Sequence, residues 1–219
     1  MDANPVELGD QLHDALYRDR PLVGNTPLLD LTELQKLRRR IHSQVASSGD
    51  ASHSLEAIFP RSMSYFQKVA PETNLVVQFM HSGHFERYID LPFVGRGISR
   101  EEAFFQFLRS LAPPDKLSIL KHEFLMHMMK ELAANPLPFF DIECEDIARR
   151  KKGYIAVVRE GGKDPYLYAS LEGRFIHGPI TNLLSDLILT QTLVAALKTG
   201  PSAPVKTTII ELYHRGMLD

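Results

Sequence analysis

The chain has 219 residues, 44% hydrophobic and 24% charged, with a net charge of −2 and a single cysteine. That size and balance supply a proper core for one large domain, or for a domain with a small appendage. They exclude an internal disulfide framework, and they give no overall pull toward nucleic acid or an anionic membrane, so any such site has to be a local patch.

The N-terminus, MDANPVELGDQLHDALYRDR, lacks the apolar run of a secretory signal and the arginine richness of a transit peptide. The lone Cys144 fits a reducing cytoplasm, which is the expected compartment. Residues 5–18 predict a short amphipathic helix, and the turn-rich PLVGNTPLLD follows at 21–30. A helix then starts at Asp30 or Thr32, where Thr32 and Gln35 have capping-box spacing. Leu31, Leu34, Leu37, Ile41 and Val45 form its apolar side, and Arg38, Arg39 and Arg40 lie largely off it. The small, polar SSGDASHS (47–54) marks a boundary between an N-terminal helical segment, 1–50, packed on the rest, and a main domain, 51–219. A helical stretch over 55–69 is interrupted at Pro60.

NLVVQFMHSGHFERYIDLPFV (74–94) has two β-favouring runs around Ser-Gly and predicts a hairpin with His81 and His84 at its tip. Ser99 and Glu102 form a capping box for a helix at 100–111. APPD (112–115) stops it, and Asp115 caps the next helix, over about 115–134. FFDIECE (139–145), GYIAVVR (153–159) and PYLYASLEGRF (165–175) read as an antiparallel meander over about 139–175. A long apolar helix is predicted over 180–199, ending at Gly200. Ser185, Asp186, Thr190, Gln191 and Thr192 interrupt it, whereas a bilayer span needs about 20 nearly uncharged residues, so no membrane contact is expected. One more short element falls near 207–214. The order of elements predicts an α+β fold. Its antiparallel sheet, a hairpin plus a meander, packs against the 115–134 and 180–199 helices.

KHEFLMHMMKEL (121–132) approaches a zinc-hydrolase helix but misses its spacing. That motif needs histidines four apart, whereas His122 and His127 are five apart, roughly 140° around a helix. The pattern reads as a core helix whose wet side carries Lys116, Glu123, His127 and Lys130. In FFDIECE, strand alternation puts Asp141, Glu143 and Glu145 on one face and Ile142 and Cys144 on the other. Three carboxylates on one face suit a solvated surface, or a Mg²⁺-type cation site completed by Glu123 and His127. Arg149, Arg150, Lys151 and Lys152, with the Arg38–Arg40 run, are candidate phosphate contacts. His177 stands between a strand and the last long helix, where it could serve a ligand. No nucleotide-binding glycine motif and no nucleophile-elbow pattern occurs.

The preferred expectation is a non-enzymatic regulatory or adaptor protein acting through protein–protein contacts, with room for a homo-oligomer. The alternatives are a metal-dependent hydrolase or nuclease using Asp141, Glu143 and Glu145, and a nucleic-acid-binding regulator using the two basic runs.

Overall fold

The computed structural model describes residues 31–47, 53–94, 97–138, 140–160, 163–198 and 202–219. The expected 5–18 helix, the 21–30 turn piece and the Gly200 stop lie outside them.

Helices come first: α1 (Leu31–Ser47), α2 (Leu55–Ile58), α3 (Pro60–Val69), α4 (Leu75–Met80), α5 (Gly83–Val94) and α6 (Arg100–Leu111). A 3₁₀ turn (Pro114–Lys116) leads into α7 (Leu117–Ala134). Four strands follow, β1 (Ile147–Arg150), β2 (Gly153–Val158), β3 (Tyr166–Leu171) and β4 (Arg174–Pro179). Then come α8 (Asn182–Leu189), α9 (Leu193–Lys198) and α10 (Ala203–His214). The strands pair antiparallel in the order β1-β2-β3-β4, so the fold is α+β with a meander sheet.

The sheet has two buried faces, because successive strand residues point opposite ways. Tyr154, Ala156 and Tyr168 join a core with α7 and the earlier helices, through Leu120, Phe124, Leu125 and Met128. Ile155, Leu167, Ala169 and Leu171 join a second core with Leu187, Ile188, Ala196, Ile209 and Leu212 from α8–α10. The central α7 buries Leu120, Glu123, Phe124, Leu125, Met128, Met129 and Leu132. Phe105 and Phe124 stack at 4.2 Å between ring centres, tying α6 to α7.

Four expected elements differ. The 165–175 strand is two strands, β3 and β4, turned at Glu172 and Gly173. The 74–94 hairpin is two helices. Asn74 Oδ1 accepts the Val77 N–H at 3.1 Å and so starts α4, and Ser82 turns the chain into α5. The β preference of Val76 and Val77 loses to a phenylalanine cluster, in which Phe79 packs on Phe85, Phe104 and Phe107 with centres 5.1–5.7 Å apart. The acidic 139–145 segment is no strand of the sheet. It makes one parallel bridge, Ile98 with Asp141, and the meander begins at Ile147. Its alternation survives, with Cys144 buried and Asp141, Glu143 and Glu145 exposed, because it lies along the start of α6. The 180–199 helix is broken into α8 and α9 by Gln191, at φ 69°. Asp219 accepts the Leu193 N–H and donates to Gln191 O, both at 2.8 Å, satisfying backbone groups at the break. Asp115 lies inside the 3₁₀ turn and makes no cap for α7.

Candidate ligand-binding cleft

Tyr166 and Tyr168 are two residues apart on β3 and therefore share the sheet face that meets α7. On α7, Ser118 and His122 are one turn apart and face those rings. Val158 ends β2 beneath them, and Arg61 from α3 closes the far side. Glu160, Lys163 and Asp164, from the β2–β3 connection, form the mouth. Together they enclose a cleft of about 290 Å³.

The wall is a packed set of rings. His122 lies edge-on to both Tyr166 and Tyr168, at 5.7 Å between centres, and the two tyrosines are 4.9 Å apart. His122 Nδ1 and Tyr168 Oη are 2.5 Å apart. Burial holds the imidazole below its usual range, and the Arg61 charge adds to this. Burial also pushes the Tyr168 phenol above its usual range, helped by Tyr166 and the Glu160 carboxylate. Both directions keep the imidazole neutral and the phenol protonated, so the contact is a neutral hydrogen bond. The second ring nitrogen, Nε2, has no hydrogen-bond partner among the described residues. Tyr166 Oη meets His177 Nδ1 at 3.0 Å, bringing β4 into the same network.

The cleft carries four charged side chains in two conditions. Glu160 accepts from Lys163 at 2.7 Å and from the Ser118 hydroxyl, and these hydrogen bonds hold its carboxyl below the usual range. Neither the Arg61 guanidinium nor the Asp164 carboxylate has a hydrogen bond or ion pair among the described residues. The cleft thus offers ring surface, the Arg61 guanidinium as a donor, the second nitrogen of His122 and one carboxylate without a partner among the described residues.

No family model, curated protein or solved structure matches the chain.

The residues singled out from the sequence lie elsewhere. Glu123 is buried and accepts from the Arg61 N–H (2.7 Å), the Ser62 N–H (3.2 Å) and the Ser62 hydroxyl (2.6 Å), capping α3 from α7. His127 packs on the His53 ring, 6.4 Å between centres, where burial lowers its pKa. Glu143 pairs with Arg87, and Asp141 and Glu145 face solvent. The fold does not bring these five together, and no group of three or more His, Cys, Asp or Glu side chains among the described residues could hold a metal ion.

In the second basic run Arg149 is exposed, whereas Arg150 is buried. The Lys151 N–H bonds Asp219, and Lys152 Nζ bonds the His214 carbonyl and Glu172. Arg39 and Arg40 are exposed on α1. His81 and His84 stand at a helix junction, with His84 against Phe107.

Sequence reasoning missed Tyr166, Tyr168, Arg61 and the cleft role of His122. The Tyr-x-Tyr alternation on β3 was the one available signal. The partners come from segments about a hundred positions apart, and no spacing rule reaches that far.

Proposed function

We propose that this protein binds a small polar ligand in the cleft between α7 and the β2–β3 end of the sheet, and that it acts as a ligand-binding regulatory protein. The observation that carries the reading is the 2.5 Å His122–Tyr168 contact on the cleft wall, which fixes the imidazole and leaves its second nitrogen toward the cavity. A concave, largely preformed site with a few convergent polar groups is the usual form of a small-molecule site.

The test is a screen of single-ring polar fragments by ligand-observed NMR, against the wild type and His122→Phe. Fragments that bind the wild type and are lost from a variant of unchanged melting temperature support the reading. Fragments that bind both proteins equally remove the cleft from consideration.

A second reading, contact with a partner protein, rests on the C-terminal helices. Leu183, Leu189, Val194, Leu197, Ile210 and Tyr213 are 36–62% exposed on α8–α10. Exposed apolar side chains, where they adjoin, commonly mark a protein contact. Sedimentation over a concentration series tests self-association. A mass that rises with concentration and is reset by Val194→Lys supports it, and a constant monomer mass sinks the homo-oligomer form.

A further inference from the structure

We propose that the ligand of this cleft is a zwitterion with a single planar ring, of the aromatic α-amino acid class. The inference rests on the ligand-binding reading above and adds the charge and shape of the occupant.

Charge comes first. Lys163 and Glu160 neutralise each other at 2.7 Å, so neither offers an unspent charge. What remains in the cleft is one cation, Arg61, and one anion, Asp164, both without partners among the described residues. A dianion such as a phosphate monoester would meet the carboxylates of Asp164 and Glu160 together. A simple cation would meet Arg61. A molecule carrying one charge of each sign satisfies both free groups and leaves the site neutral. The planar guanidinium fork suits a carboxylate. The Asp164 carboxylate suits an ammonium group.

Shape comes second. The inner wall is Tyr166, Tyr168 and His122, with Val158 below, so the body of the ligand meets ring faces and edges. Aromatic pairs favour offset or edge-on packing, the arrangement a ligand ring would take against Tyr166 and His122. A volume of about 290 Å³ falls at the small end of ligand pockets and holds one ring with its substituents.

The experiment titrates the full chain with three compounds that share a phenyl ring and a short linker. L-Phenylalanine carries both charges, 3-phenylpropionate only the carboxylate, and phenethylamine only the ammonium. The readout is the ring resonances of His122 and the dissociation constants from calorimetry. L-Phenylalanine should bind about tenfold more tightly than either analogue, the effect of one charge-assisted hydrogen bond. Arg61→Gln should erase its advantage over phenethylamine, and Asp164→Asn its advantage over 3-phenylpropionate. Both positions are exposed, so the variants should melt with the wild type, and the three-compound series stands on the wild type alone.

Equal or tighter binding of 3-phenylpropionate overturns the zwitterion and assigns a simple anion, leaving the cleft reading intact. The same holds for phenethylamine and a simple cation. If none of the three moves the His122 resonances, this inference fails, and the fragment screen decides separately whether the cleft binds anything.

Discussion

Glu102 shows how far one residue can depart from its sequence pattern. Ser99 Oγ accepts the Glu102 N–H at 3.1 Å, as the capping-box spacing predicts. The reciprocal half is missing, because the Glu102 carboxyl accepts the Glu143 N–H instead, at 3.1 Å. Its second oxygen is buried with no hydrogen-bond partner among the described residues. Burial pushes this carboxyl up to about 7, and the Glu143 carboxylate adds to the rise while the Glu143 N–H opposes it. A raised acid binds more protons folded than unfolded, so its contribution is worst when ionised. Stability should therefore fall as pH rises from about 4.5 to about 7, by about 3 kcal/mol for a shift of this size, and level off above that range. Glu102→Gln should flatten that slope and be more stable than the wild type at about pH 8 in urea unfolding. An unchanged slope in the variant would assign the pH dependence to other groups. The cap was legible because it joins residues three apart. The Glu143 contact was not, since it joins residues 41 apart.

Elements were read well where the signal is local. The break at Pro60, the α6 cap and the β2–β3 part of the meander all follow from short patterns of turn, cap and alternation. They were misread where packing decides. The 74–94 segment reads as β from its valines, and only the phenylalanine cluster shows why the helix capped by Asn74 wins. Glu123 belongs to this scale because it joins two helices. The first N–H groups of a helix lack intrahelical partners, and this carboxylate takes those of Arg61 and Ser62 at the start of α3. Glu123→Ala should cost about 1–3 kcal/mol in chemical denaturation, the loss of a cap and the exposure of unpaired buried donors. Glu123→Gln should recover part of it. A loss below about 0.5 kcal/mol for the alanine variant would mean that water replaces the carboxylate. The broken 180–199 helix was invisible for a different reason. Propensity favours continuing through Gln191, and only contacts from the distant 217–219 segment make the bend worthwhile.

At the scale of the whole molecule, two strands, β2 and β3, belong to two cores at once. The α+β class and the antiparallel meander were legible because alternation and turns sit close in sequence. The two-sided burial was not, since β2 and β3 carry apolar residues on both faces and do not say what covers each. A chain of this length need not unfold in one step. Here neither core can lose its strands without the other, so unfolding should be one transition across probes. Ile188→Ala, fully buried in the second core, should cost about 2–4 kcal/mol. The loss should appear equally in tyrosine near-ultraviolet dichroism, which reports the Tyr154–Tyr168 face, and in far-ultraviolet dichroism. Two separated transitions would show that the C-terminal helices open alone. No helix among the described residues is long and apolar enough to cross a membrane.

Glu123 has a consequence for anyone who maps the cleft by random mutagenesis. Its carboxylate grips the Arg61 backbone, while its chain neighbour His122 reaches across to Tyr168. Opposite walls are therefore nailed to one another from below, at a position no occupant would reach. Survivors of such a screen would avoid changes at 123 as strictly as at 61 or 122. In a table of intolerant positions it would pass for a contact residue, although its work is that of a foundation.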